Sequence, residues 1–198
     1  PALYHVRPYT SHSNPIWYNG IISIEIKLGI AMPSRRVATG LNAGTYYLTL
    51  TIQRWYYLFD RYNRWQILAD SIRYCQDNKG LELNGYVFML NHIHLIATSP
   101  DMAGFLRDFK RFTSVKFKAN LETTEPSVLS LFVDDKGNYQ FWMDTNAPKK
   151  IENPEFYRQK LNYIHENPVR KGYVSRPEHW FWSSANPASP LVTKLFVA

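Results

Sequence analysis

Apolar positions along the chain fall into alternating runs and helical stripes, separated by turn-forming residues. Tyr46-Tyr47-Leu48-Thr49-Leu50-Thr51-Ile52 alternates and predicts the first core strand. Trp55 to Phe59 is aromatic and either prolongs that sheet or forms a flap. Trp65, Leu68, Ile72 and Cys75 recur at helical spacing within Tyr62–Lys79, and Gly80 supplies the C-terminal stop. Leu81–Leu90 reads as a strand with Gly85 as a bulge, followed by His92–Thr98 as its antiparallel partner or continuation. Met102–Asn120 is a two-sided helix, with Met102, Phe105, Phe109 and Phe112 on one face and Arg107, Lys110, Arg111 and Lys118 on the other. Lys116 falls on the apolar side, so a bend or end is expected near it. Residues 121–139 are turn-rich with a short apolar piece at Val128–Val133, and Tyr139–Met143 predicts a further strand. Asn153 as N-cap, Pro154 at the first helical position and Glu155 in the first turn open a third helix, docked through Tyr157, Leu161 and Ile164. It is expected to end at Asn167-Pro168, because the residue before a proline is pushed out of the helical region. Gly172 to Ala185, with Trp180, Phe181 and Trp182, is expected to pack back on the sheet.

The order strand, helix, strand, strand, helix, strand belongs to the α+β class. Residues 1–31 read differently: irregular up to Gly20, then a short β-like run, Ile21–Ile26. Met32-Pro33-Ser34-Arg35-Arg36 looks like a second beginning. The expected organisation is therefore an N-terminal extension (1–31), one domain (32–185) and a C-terminal tail (186–198). Nothing in the pattern repeats or suggests a second domain.

Composition narrows the class. At 198 residues, 45% hydrophobic and 20% charged, the chain can bury a core. A net charge of +7 with 14 Tyr, 11 Phe and 6 Trp suits a nucleic-acid binder, where cations meet phosphates and rings stack on unpaired bases. It equally suits a basic protein with an aromatic-rich core. The single cysteine, Cys75, excludes an internal disulfide and a cysteine-based zinc cluster, and fits a reducing compartment. No apolar run reaches the length of a membrane span, and no signal peptide is evident, so a cytoplasmic protein is expected.

The candidate chemistry starts at Asn91-His92-Ile93-His94-Leu95. In a strand, His92 and His94 share one face, with backbones roughly 6.5–7 Å apart, close enough to converge on one divalent cation. The alternative is a pair of partly buried histidines bonded to carbonyls. On the third helix Lys160, Tyr163 and Asn167, spaced three and four apart, are neighbours on one face, whereas His165 points elsewhere.

The stretch Tyr163-Ile164-His165-Glu166-Asn167-Pro168-Val169-Arg170-Lys171-Gly172 adds a more specific signal. With the His-Ile-His motif and Trp182-Ser183-Ser184-Ala185, it resembles the single-tyrosine transposases of the HUH nuclease superfamily, in particular the REP-associated tyrosine transposases of the IS200-like group. The resemblance spans about Met32 to Ala185 in the same order. It implies a ferredoxin-like (RRM-like) sandwich with a mostly antiparallel sheet, the histidines on a central strand and a helix that brings the tyrosine to them. It implies that His92, His94 and Asn167 bind Mg²⁺ or Mn²⁺, and that Tyr163 is the nucleophile that cleaves and rejoins single-stranded, hairpin-bearing DNA through a 5′-phosphotyrosine. Relatives of this kind occur as monomers and as homodimers, so the tyrosine could act in cis or from a partner. Arg35, Arg36, Arg107, Lys110, Arg111, Lys118 and Lys160 are the expected DNA contacts. The chain departs from the family at Leu90 and at Met143-Asp144, so no DNA contact is assigned at the latter. Two rivals remain: a non-cleaving single-stranded nucleic-acid binding module on the same fold, and a hydrolase in which Tyr163 only orients water.

Overall fold

The computed structural model describes residues 41–144 and 148–196. The β-like run Ile21–Ile26 and the basic pair Arg35 and Arg36 lie outside the described residues, as does the junction at residue 31. The elements are β1 (Gly44–Thr51), α1 (Arg64–Asn78), β2 (Glu82–Phe88), β3 (His92–Ser99), α2 (Met102–Thr124), β4 (Lys149–Lys150), α3 (Pro154–His165) and α4 (Asn167–Arg170). Their four strands form one antiparallel sheet in the order β2-β3-β1-β4. With α1 and α2 as crossovers this is the ferredoxin-like α+β arrangement, and β3 is a central strand. Among the described residues no helix is long and apolar enough to cross a membrane.

Strand alternation sorts the sheet into two faces. Leu48, Leu50, Ile93, Leu95 and Ala97 pack with Leu68, Ile72, Phe105, Phe109 and Phe117 of α1 and α2. Tyr47, Val87, Met89 and Ile96 face the other way and pack with Ile151 and with Tyr157 and Ile164 of α3. His92 and His94 have the parity of Ile96, so they lie on the α3 face.

Two sequence expectations change here. Tyr139–Met143 is not a ladder strand: it makes only isolated bridges, Val133↔Tyr139 and Ile52↔Trp142. Phe141 and Trp142 are consecutive, yet both pack against Phe117 of α2, whereas neighbours in a ladder strand point to opposite faces. The fourth strand is Lys149–Lys150, which pairs with Tyr47 and Tyr46. Of the two readings of Trp55 to Phe59, the sheet extension fails: Gln53–Trp55 is a 3-10 turn, and Leu58 and Phe59 donate to the Leu90 carbonyl.

Helix α2 continues without interruption past Lys116 to Thr124, so it does not end where expected. Its core stripe runs Met102, Phe105, Phe109, Thr113, Phe117, Leu121, and Phe112 is only half-buried. Thr113 is accommodated because its hydroxyl donates to the Phe109 carbonyl (2.7 Å) and accepts from the Trp142 indole (2.9 Å). Lys116 sits outside that stripe, its ammonium 5.2 Å from the Phe112 ring centroid. Asp101 caps the helix by accepting from the Gly104 amide (2.8 Å), and a Cβ at Gly104 would collide with that carboxylate. The far end is tied down by Arg64, fully buried, which bonds Asn120 (2.7 Å), Thr124 (3.0 Å) and Glu125 (2.8 Å).

The basic face of α2 is less free than its sequence suggests. Arg107 pairs with Asp108, and Lys118 with Glu122. Lys110 is the most constrained: its ammonium donates to the Met143 carbonyl (3.0 Å), and burial, only partly offset by Asp144, holds its pKa down to about 8. An unfolded lysine keeps its proton to about 10.5. Between those values the unfolded chain therefore binds more protons, so folding stability gains with rising pH across that window. Lys110→Met is expected to flatten this slope; comparing wild type with the variant by chemical denaturation from pH 7.5 to 10.5 cancels the tyrosines and isolates the lysine.

Beyond α4, the chain covers the exposed edge of β2. Phe88 donates to the Trp182 carbonyl (2.8 Å), Ser184 to Tyr86 (3.0 Å) and Lys194 to Leu83 (2.8 Å). Trp180 and Trp182 pack around Trp65, and the Trp180 indole donates to the Phe88 carbonyl (2.8 Å). An edge strand with unpaired backbone groups is a template for foreign strands, and this segment fills it. The stretch expected to be a tail thus runs along the domain, with Leu191 buried and Phe196 stacked on Tyr157.

Candidate active site

The site is set by a defect in β2. Leu83 pairs with Ala97 and Gly85 with Ile96, so Asn84 is the extra residue of a bulge. Its carbonyl, released from the ladder, accepts from the Tyr157 hydroxyl (2.9 Å). Next to it, Gly85 allows α3 to lie close: a Cβ there would stand 2.6 Å from Leu161 Cδ1 and 3.3 Å from Ile164 Cδ1. The Asn153 side chain accepts from the Phe156 amide (2.8 Å) and fixes where α3 starts. Bulge, glycine and cap together seat α3 on the histidine face of the sheet.

That seating carries Tyr163 to the histidines within one chain. The Tyr163 ring lies 5.6 Å from the His94 ring and 6.2 Å from the Tyr47 ring, edge-on to both. The two imidazoles are 4.9 Å apart, centroid to centroid. Tyr163 is 44% exposed, so its ring is open to a substrate, while His94 is only 4% exposed.

Each imidazole is held by its Nδ1. His92 Nδ1 lies 2.7 Å from Asn91 Oδ1, and the Asn91 amide nitrogen donates to the Trp55 carbonyl (2.6 Å). With its nitrogen so engaged, Asn91 presents an acceptor, so His92 Nδ1 carries the proton and Nε2 keeps the lone pair. His94 stands opposite Thr49 in the register, and its Nδ1 meets Thr49 Oγ1 (2.8 Å) and Tyr47 Oη (3.0 Å). Thr49 in turn donates to the Tyr47 hydroxyl (3.3 Å). Burial, with Lys171 nearby, pushes His92 down to about 4; burial, His92 and Arg170 push His94 to about 3. Both rings are therefore uncharged at neutral pH.

Such a donor set fits a divalent cation. Neutral imidazoles with Nδ1 tied to oxygen acceptors are the form in which histidine ligates. Among the described residues, no three His, Cys, Asp or Glu side chains gather as a metal site. A third protein donor would have to be an amide or hydroxyl. Asn167 is buried and its amide nitrogen donates to the Tyr163 carbonyl (3.0 Å), so that among the described residues Oδ1 keeps its lone pairs for a ligand. It is not on a continuous helix with Tyr163, as expected from sequence. The helix breaks one residue earlier, at Glu166, and Asn167 opens the turn α4 with Pro168 in its first positions. Proline lacks the N–H that the first turn leaves unpaired anyway, so it starts this turn rather than stopping the helix outright.

Cations surround the tyrosine. Arg170 lies over its ring (4.5 Å to the centroid) and donates to its carbonyl (2.6 Å). Lys160 sits among three rings, 5.2 Å from Tyr47, 5.0 Å from Phe156 and 5.8 Å from Tyr163, and burial with Lys149 lowers its pKa. Of the expected site residues, the structure thus brings together His92, His94, Tyr163 and Lys160, with Asn167 attached to this group through the Tyr163 carbonyl. Arg107, Lys110, Arg111 and Lys118 are on α2, across the sheet. His165 bonds the Ser184 hydroxyl (2.8 Å), away from the histidine pair. Sequence reasoning left Asn91, Arg170 and Lys171 without roles and passed over Tyr47 and Thr49. Register across β1 and β3 was the signal for Thr49; no periodic pattern pointed to Arg170 beyond the proline.

This sheet order, with α3 laid on one face, is the fold of a solved tyrosine transposase. No family model matches the chain. A REP-associated tyrosine transposase of Escherichia coli (strain K12) is 25% identical over 147 residues, covering 73% of this chain and 78% of the relative. A REP-associated tyrosine transposase solved bound to a REP hairpin superposes with a TM-score of 0.57 at 20% identity, over 84% of this chain and 95% of its own. In sequence the chain is similar to one REP-associated tyrosine transposase, and its fold is similar to that of another.

Proposed function

We propose that the chain is a metal-dependent transposase of single-stranded DNA, which cleaves and rejoins hairpin-bearing ends through Tyr163. The observation that carries this reading is the Tyr163 ring 5.6 Å from His94, over an imidazole pair 4.9 Å apart, all within one chain. The solved relative's hairpin supports the choice of substrate.

A phosphodiester is anionic and repels a nucleophile, and a phenol with pKa near 10 is a weak one. Mg²⁺ or Mn²⁺ held by His92, His94 and Asn167 would supply neutralising charge at the phosphate oxygens. The chain's own cations do the rest of the electrostatic work: Arg170, Lys160 and Lys171 draw the phosphate towards Tyr163. The Tyr163 oxygen forms a bond to phosphorus as the bond to the 3′ oxygen breaks; the phenol proton is lost and the departing 3′ oxygen takes one up. The product is a 5′-phosphotyrosine and a free 3′-hydroxyl. An incoming 3′-hydroxyl reverses the step, so no nucleotide cofactor is consumed. Asn91, Thr49 and Tyr47 keep the imidazoles oriented. Any DNA contact by Arg107, Arg111 or Lys118 is made on the far side of the sheet.

The test is incubation with a hairpin-bearing single-stranded oligonucleotide, with Mg²⁺ or Mn²⁺ and with chelator. The expected result is a denaturant-stable protein–DNA adduct that chelation removes. Binding without any adduct in either metal would favour a non-cleaving module and overturn the proposal.

A further inference from the structure

Trp55 is an exposed indole that no packing requirement explains. It is 59% exposed, and the one aromatic ring it meets among the described residues is His92, at 6.2 Å and edge-on. The other described tryptophans behave differently: Trp142 is buried, and Trp65, Trp180 and Trp182 pack on one another. Its backbone is also unusual. Arg54 (φ 58°) and Trp55 (φ 56°) are consecutive left-handed residues, a conformation uncommon for any side chain and rarer for bulky ones. Such outliers persist only where surrounding bonds over-determine them.

Those bonds run to the histidine site. The Trp55 carbonyl accepts from Asn91 Nδ2, and Asn91 Oδ1 holds His92 Nδ1. The Trp55 amide donates to the Ile52 carbonyl at the end of β1 (3.1 Å). One asparagine therefore fixes both the turn that projects the indole and the imidazole beside it. An apolar plane left in water beside the histidines, with Lys171, Arg170 and Lys160 around the same site, matches one ligand chemistry well: an unpaired nucleobase, whose face stacks on the indole while its phosphate meets the cations.

We infer that Trp55 is a stacking platform for an unpaired base of the strand held at His92 and His94, and so positions the adjacent phosphate under Tyr163. The inference deepens the transposase reading and rests on it for the identity of the phosphate, although stacking itself needs no cleavage. Trp55 is a positioning residue: it sets where the backbone lies and takes no part in bond making. Stacking one base on an aromatic side chain contributes about ten-fold or more in affinity by truncation.

The experiment uses the full chain and hairpin-bearing single-stranded oligonucleotides in which 2-aminopurine is walked through the nucleotides flanking the hairpin. Stacking quenches this base analogue. Wild type is expected to quench one position strongly. Trp55→Ala should lose that quench and bind about ten-fold more weakly, and Trp55→Phe, which keeps a ring, should retain most of both. Tyr163→Phe should quench like wild type. Quenching that persists unchanged in Trp55→Ala, with adduct formation intact, overturns the inference and leaves the cleavage reading standing. Trp55-dependent quenching with no adduct in wild type would overturn the cleavage reading and leave the platform. Loss of the quench in Trp55→Phe as complete as in Trp55→Ala would also count against stacking, since any ring should serve.

Discussion

Tyr163→Phe should abolish the covalent adduct while leaving the fold and most of the DNA affinity. Removing an enzyme's nucleophile costs on the order of 10⁴-fold or more in rate. The structural cost is small because the contacts of this residue use its ring and its carbonyl. Its ring meets His94 at 5.6 Å and Tyr47 at 6.2 Å, Arg170 lies over the same ring, and Arg170 and Asn167 both donate to its backbone carbonyl. Phenylalanine keeps every one of these. Gel electrophoresis under denaturing conditions, beside binding by fluorescence anisotropy, separates the two effects. An adduct undiminished in Tyr163→Phe would move the nucleophile elsewhere.

His94→Ala is expected to have the second-largest effect, about 10³-fold in cleavage. A bound cation contributes several kcal/mol of charge stabilisation at a phosphate, and each ~1.4 kcal/mol is ten-fold in rate. Truncation also removes the His94 Nδ1 at which the Tyr47 and Thr49 hydroxyls meet, leaving them only their bond to each other. Affinity for DNA should fall far less, because Lys160, Arg170 and Lys171 are untouched. Melting followed by circular dichroism distinguishes a folded, inactive variant from an unfolded one. Full cleavage by a folded His94→Ala would place the metal at other residues.

Much of the site could be read from the chain because its geometry is local. Strand alternation alone places His92 and His94 on one face, and Asn153-Pro154-Glu155 marks the start of the helix that carries Tyr163. Gly85 announced the bulge, although its consequence, the close seating of α3 through Leu161 and Ile164, is a tertiary fact. What could not be read depends on partners distant in sequence. Lys149-Lys150 has no strand pattern; it pairs through its backbone at a sheet edge, where side chains decide little. Tyr139–Met143 has strand composition but places two consecutive aromatics, Phe141 and Trp142, on the same side against Phe117. The basic stripe of α2 was visible, but not that Asp108, Glu122 and the Met143 carbonyl engage three of its cations, nor that it sits across the sheet from the histidines. Arg170 gained its place over Tyr163 only because the chain resumes a helical turn at Asn167.

The most direct test of the account is to trap the wild-type adduct, digest it with protease and nuclease, and locate the residue that carries the nucleotide by mass spectrometry. The account predicts a phosphodiester-linked nucleotide on the Tyr163 oxygen, joined through a 5′-phosphate. A nucleotide on any other side chain, or a 3′-phosphate linkage, would contradict it.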